Sequence, residues 1–205
     1  MKISYAVTVF NELEEIKKLI PFLLEHKRDE DEIVVLFDDK GTKEVWEYLL
    51  SIENKLGVLS VSNLNGDFSK FKNKLIKLCS GDYIFNIDAD ELPNSFLILN
   101  LEVLLEQNPT IDLFLVPRIN IVEGLTEEHI KKWGWNVNEH GWVNWPDFQT
   151  RIFRNNSNIF WENKVHEKIT GYKEFSILPE FDEWALYHNK DIKRQETQNN
   201  FYNTI

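Results

Sequence analysis

The sequence predicts an α/β fold: a mostly parallel central sheet flanked by helices, with a smaller region of short strands and loops in its second half. Strand-length apolar runs alternate with helix-length amphipathic runs through the first 117 residues, the pattern of repeated strand–helix units. Two of these runs, Ile33 to Phe37 and Tyr83 to Ile87, are apolar almost throughout, as in strands covered on both faces. Polar residues collect where the runs stop, at Asn11, Asp38, Asp39, Asp88 and Asp90. Parallel sheets bind ligands in the crevice at the carboxyl ends of their strands, so a ligand pocket is expected there.

Taken in order, Ile3 to Phe10 is the first strand. Asn11 follows as a side-chain cap, and Glu12, Glu14 and Glu15 favour the amino end of a helix. Ile16, Leu19, Ile20, Leu23 and Leu24 form its apolar stripe, with Pro21 expected to kink or interrupt it. The second strand, Ile33 to Phe37, ends in the turn Asp38-Asp39-Lys40-Gly41-Thr42. A helix to about Lys55 and a third strand, Val58 to Val61, come next. Ser69 to Leu78 reads as a helix with Phe71, Leu75, Ile76 and Leu78 inward. The strand into Asp88, a helix from Phe96 to Glu106 and a strand from Asp112 to Val116 complete this half.

From Arg118 the texture changes. Residues 118–148 read as loop and hold four of the seven tryptophans, Trp133, Trp135, Trp142 and Trp145. Thr150 to Arg154, Ile159 to Trp161 and Lys164 to Thr170 are short strands, and the polar tail from Asp191 is helix-like. No repeat or linker divides the chain. Residues 1–205 are therefore expected to form one domain of two halves, 1–117 and 118–205.

Composition narrows the function classes. A chain of 205 residues buries about 70% of its unfolded surface, enough for a substantial core. A formal net charge of −11 disfavours nucleic acid and anionic membrane as partners held by bulk attraction. The single cysteine, Cys79, excludes an internal disulfide framework and a multi-cysteine zinc site, and suits a core filler. The first residues are too polar for a secretory signal, and no apolar run approaches the ~20 residues of a membrane span. A cytoplasmic location is expected, compatible with peripheral contact at the inner face of a membrane.

Asp88-Ala89-Asp90-Glu91 is the most informative stretch. Carboxylates that close repel one another and are tolerable mainly when a cation sits between them. Hard oxygen ligands of this kind suit Mg²⁺ or Mn²⁺, especially when a phosphate completes the shell. A solvated acidic turn capping the next helix is the alternative.

These residues, with others in order, resemble the inverting family 2 glycosyltransferases of the GT-A fold. Ala6-Val7-Thr8-Val9-Phe10-Asn11-Glu12 looks like their first strand and its end, and Val34 to Thr42 is similar to their aspartate-containing turn. Asp67 to Asn73 followed by Gly81-Asp82-Tyr83 resembles the approach to the metal strand, and Asp88-Ala89-Asp90-Glu91 matches the metal motif. Arg151-Ile152-Phe153-Arg154, Trp161, Val165-His166-Glu167 and Tyr187-His188 are similar to a pattern of the lipopolysaccharide-core glucosyltransferase-like branch. Two departures stand out: Lys40 replaces a usual glycine and Lys72 a usual arginine.

The resemblance implies attack by an acceptor hydroxyl on the anomeric carbon of a nucleotide sugar, UDP-, GDP- or dTDP-linked. Asp90, with Asp88 and His188, would hold Mn²⁺ or Mg²⁺. Thr8, Asn11, Glu12, Asp38, Asp39, Lys72, Asn73, Asp88, Ala89, Arg151 and Arg154 would contact the donor. Arg151 and Arg154 are separated by an odd step, so at most one reaches the diphosphate from a regular strand. Glu167, on a strand and facing an aromatic cleft, is the candidate general base, and Asp147 is held in reserve. Trp133, Trp135, Trp142, Trp145 and His166 would meet the acceptor, a glycan or lipid-linked saccharide, although the tryptophans equally suit the core of a subdomain. The expected activity is a metal-dependent, inverting sugar transfer serving polysaccharide or lipopolysaccharide biosynthesis. Its rivals are a sugar nucleotidyltransferase, for which the glycine-rich loop is missing after the first strand, and a non-catalytic carbohydrate-binding protein.

Overall fold

The computed structural model describes residues 1–196. Seven strands form the central sheet in the order β11-β6-β8-β4-β1-β2-β3. They are β1 (Ile3–Val9), β2 (Glu32–Asp38), β3 (Val58–Ser62), β4 (Tyr83–Asp88), β6 (Leu113–Val116), β8 (Gln149–Arg154) and β11 (Phe175–Ile177). β1 to β4 are mutually parallel, whereas β8 runs antiparallel to both β4 and β6. The helices are α1 (Leu13–His26), α2 (Lys43–Ser51), α3 (Phe68–Leu78), α4 (Ser95–Gln107) and α5 (Glu127–Trp133).

Alternation along β1 sorts the core into two layers. Tyr5, Val7 and Val9 pack with Ile16, Leu19 and Leu23 of α1, Leu49 of α2 and Leu101 and Leu105 of α4. Ala6 faces the other way, toward Phe71 and Leu75 of α3 and toward Phe153, Trp161 and Ile169. The period of two on the strand against 3.6 on the helix is what allows one sheet to bury both faces.

Two smaller sheets flank the large one. β9 (Phe160–Glu162) and β10 (Lys168–Thr170) form an antiparallel ribbon lying against α3. β5 (Glu91–Pro93), β12 (Leu186–Asp191) and β7 (Arg118–Glu123) form a three-stranded sheet in the order β5-β12-β7.

Several sequence expectations are corrected. Asn11 does not cap α1; Glu12 holds the cap position, and the Asn11 Oδ1 accepts from the Thr42 N–H at 3.0 Å. Pro21 neither ends nor interrupts α1, which runs unbroken from Leu13 to His26 with Pro21 on its exposed side. Residues 118–148 are not all loop: β7 and α5 occupy much of that stretch. The strand predicted over 164–170 is confined to β10, and residues 163–166 make a bend in which His166 has φ +52°. β5, β11 and β12 are strands of three to six residues that local periodicity did not mark. The helix-like tail is seen as far as residues 192–196, and the remainder lies outside the described residues.

Candidate functional site

The carboxyl ends of β1, β2 and β4 lie side by side, because Thr8 is in register with both Leu36 and Asp88. Asp38 closes β2, buried, and its Oδ1 accepts from the backbone of Lys40 at 3.2 Å and of Leu64 at 3.4 Å. The turn beyond it passes so near β1 that a Cβ on Gly41 would lie 2.3 Å from the Phe10 carbonyl oxygen. Only glycine permits that approach. Asp39 is exposed and accepts from Asn63 Nδ2 at 2.7 Å. A groove of about 440 Å³, lined in part by Asn63, Lys70, Lys74 and Lys164, opens beside it.

Glu91 is the buried hub of the acidic motif, 1% exposed. Its carboxylate accepts from Arg151 Nε at 2.9 Å and Nη2 at 2.7 Å, and from Arg118 Nη1 at 3.0 Å. Arg151 Nη2 also reaches Asp88 Oδ2 at 2.5 Å. On the other side of Asp88, Lys72 Nζ lies 3.3 Å from Oδ1 and 2.8 Å from Glu167 Oε1. The crowded negative charge of Asp88 and Glu91 is met in part by side-chain cations. Burial pulls the Asp88 carboxyl upward, but Arg151, Lys72 and Arg118 outweigh it and hold the group well below the usual carboxylate range. Both Asp88 oxygens thus meet side-chain cations, Lys72 at Oδ1 and Arg151 at Oδ2.

A second row crosses the small sheet. Register places His188 beside Glu91 on β5 and beside Asn120 on β7. The Asn120 amide donates to Asp147 Oδ2 at 2.7 Å, so its Oδ1 is the acceptor for His188 Nδ1–H at 2.8 Å. Nε2 is thereby left for Asp90 Oδ2, 3.2 Å away. Asp90 also meets Arg194 at 3.2 Å. Burial raises the Asp90 carboxyl, while His188 and Arg194 lower it further, to about 2.

Among the described residues no cluster of three or more His, Cys, Asp or Glu side chains is arranged to hold a metal ion. Asp90 and His188 do fit a cation as a pair, since the histidine presents a nitrogen whose partner nitrogen is fixed by Asn120. Mg²⁺ and Mn²⁺ sites commonly use one or two protein ligands and take the rest of their shell from phosphate and water.

The other expected residues divide clearly. Glu167 reaches the cluster, but from the turn before β10 and not from a strand. Asp147 accepts from Arg118 at 2.7 and 2.9 Å, from Asn120 at 2.7 Å and from Gln149 at 2.9 Å. Burial raises its carboxyl, and these donors, Arg118 foremost, lower it further. This carboxylate is thus held by Arg118, Asn120 and Gln149. Arg154 is corrected: it faces Tyr83 at the amino end of β4 and pairs with Asp112 at 3.1 Å. Asn73 spends both side-chain groups on the Trp161 backbone, at 2.7 and 2.9 Å, and so braces β9 against α3. Glu12 folds back to accept from the N–H groups of Phe10 and Asn11 at 2.8 and 2.9 Å, which shapes the turn after β1.

The four tryptophans are half-buried in pairs, Trp133 with Trp135 at 4.7 Å between ring centroids and Trp142 with Trp145 at 5.0 Å. His166 is exposed. The sequence reading missed Arg118, Asn120 and Arg194. The alternation of Arg118 and Asn120 on β7, two positions apart and hence on one face, is the signal that would have found the first two.

A doubly covered parallel sheet with a charged crevice across the ends of β1, β2 and β4 defines the class of the GT-A fold. The chain belongs to the family described as Glycosyl transferase family 2, whose profile matches residues 4–194. No curated protein matches the sequence. Among solved structures, S. aureus TarS 1-349 is 18% identical with a TM-score of 0.65, covering 92% of this chain and 60% of that one. The same fragment in complex with UDP-GlcNAc is 19% identical with a TM-score of 0.65, covering 93% and 59%. Full S. aureus TarS gives 18% identity and the same TM-score, with 37% of its length covered. The chain thus spans about three fifths of the fragment and little more than a third of full TarS. Among the described residues no helix is long and apolar enough to cross a membrane.

Proposed function

We propose that the chain transfers a sugar, with inversion, from a nucleotide sugar to a hydroxyl of a glycan or lipid-linked saccharide. Asp38 and Asp39 accept hydrogen bonds from the base and ribose, with Thr8 and Asn11 lining the same pocket. Asp90 and His188 would hold the divalent cation, which when bound would neutralise charge developing on the leaving diphosphate. Lys72 adds positive charge beside Asp88, while Arg151 and Arg118 hold the acidic motif in place. Glu167 takes the proton of the acceptor hydroxyl as the hydroxyl oxygen bonds to the anomeric carbon and the bond to the diphosphate oxygen breaks.

The observation that carries this is the position of Lys72, which contacts Asp88 at the end of β4 and Glu167 from the turn after β9 at the same time. The candidate base is thereby beside the donor carboxylates although they are remote in sequence. The branch suggested by the second-half motifs, lipopolysaccharide-core glucosyltransferase-like, is supported by Arg151, Trp161, Glu167 and His188 lying around one cluster.

The test is a thermal-shift panel of UDP, GDP, dTDP and UDP-GlcNAc, each with and without Mn²⁺. A ligand at ~100 times its dissociation constant adds about 2.7 kcal/mol. At ~2–4 °C per kcal/mol for a chain of this size, that is a rise of roughly 5–10 °C. Metal-dependent stabilisation by one nucleotide is expected; no response to any of them would sink the proposal. Release of nucleoside diphosphate during turnover separates transfer from nucleotidyl transfer, which would release pyrophosphate.

A further inference from the structure

Lys72 is a charged group with 7% of its side chain exposed, and its ammonium has three neighbours. Glu167 Oε1 lies at 2.8 Å, Asp88 Oδ1 at 3.3 Å, and the Trp161 ring centroid at 4.6 Å. The Trp161 contact is electrostatic and the two carboxylates share the ammonium, so a stronger anion arriving beside Asp88 competes with Glu167 for it.

The three neighbours are not equally movable. Trp161 is 3% exposed, packs edge-on against Phe153, and is tied to α3 by a reciprocal pair of hydrogen bonds with Asn73. Asp88 ends a buried central strand and is gripped by Arg151. Glu167 follows a bend whose preceding residue, His166, is exposed with φ +52°. Its contact is the one that can be given up without disturbing the sheet.

We propose that Lys72 is a donor-gated latch on Glu167, and this rests on the function proposed above. In the free protein the lysine occupies the carboxylate that acts as base. When the diphosphate of a donor arrives beside Asp88, its oxygens draw the ammonium away, and Glu167 is released to face the acceptor hydroxyl. The exchange moves an ion pair and no proton. It makes Lys72 a positioning residue for the base. Lysine suits this role because its flexible stem and compact charge can swing, whereas the planar fork of arginine would bridge both acceptors at once.

The contact can be read chemically. A water-soluble carbodiimide activates a carboxylate and is displaced by a neighbouring amine. The Glu167 carboxyl and Lys72 Nζ then form an amide as the reagent takes up the lost water as a urea. Mass spectrometry of the digested protein should show the Lys72–Glu167 cross-link in the free wild-type protein. Saturating UDP with Mn²⁺ should suppress it at least tenfold, and Mn²⁺ alone should leave it unchanged. An unchanged cross-link under conditions where UDP and Mn²⁺ raise the melting temperature overturns the latch and leaves the transferase proposal standing. Absence of the cross-link from the free protein also overturns it. If UDP, GDP and dTDP all fail to shift the melting temperature, both proposals fall.

Discussion

Replacing Arg151 with leucine should destabilise the fold more than any change at the surface of the crevice. The guanidinium makes two hydrogen bonds to Glu91 and one to Asp88, and 4% of the residue is exposed. Without it, buried Glu91 keeps Arg118 at 3.0 Å and the Asp88 N–H at 3.2 Å, and one charge is left short of compensation. Removing one partner of a buried ion pair costs about 3–5 kcal/mol. At ~2–4 °C per kcal/mol the melting temperature should fall by roughly 6–20 °C. The assay is urea unfolding followed by tryptophan fluorescence and far-ultraviolet circular dichroism. The double variant Arg151→Leu/Glu91→Leu should recover most of the loss, since no charge is then stranded and Arg118 retains Asp147. A loss below about 1 kcal/mol for the single variant would refute the reasoning. So would a double variant as unstable as the sum of its parts.

Asp90→Ala is expected to abolish the Mn²⁺-dependent part of nucleotide stabilisation while leaving the unliganded melting temperature within a few degrees; full retention of the metal effect would move the cation elsewhere. Glu167→Gln should keep the nucleotide-induced thermal shift and lower turnover by about 10²–10⁴-fold; wild-type turnover would remove it as the base. Glu32 ties the ends of β1 and β2 together through Lys2, Ser4 and Ser80. Burial raises its carboxyl, but these hydrogen bonds outweigh burial and bring it down to about 2 from an ordinary 4.5. A depressed folded-state pKa stabilises the protein above the ordinary value, and that stability is lost as pH falls from about 4.5 toward 2. Unfolding curves of Glu32→Gln should therefore show a flatter acid limb between those values, and an unchanged limb would count against the hydrogen bonds.

The strand–helix order of the first half was legible because its signals are local. The even and odd residues of β1 and the spacing of Ile16, Leu19, Ile20 and Leu23 are readable within a few positions. The acidic end of β4 was legible for the same reason. β5, β11 and β12 were not, because strands of three to six residues carry too few alternations to stand out. Arg151 and Arg154 could be assigned to opposite sides from their spacing. Only the antiparallel pairing of β8 with β4 shows which of them arrives at Asp88.

Residue order was thus sufficient for the fold class, for the crevice at the strand ends, and for the chemical types gathered there. Three-dimensional pairing decided which groups meet. Arg151 meets Glu91 across 60 positions and His188 meets Asp90 across 98. Those contacts surround Asp88, Glu91 and Asp147 with arginine and lysine, and they bring His188 to Asp90 and Lys72 to Glu167. The reason is electrostatic: a buried carboxylate takes its character from the cations and donors within about 4 Å, and chain folding, not sequence proximity, selects them.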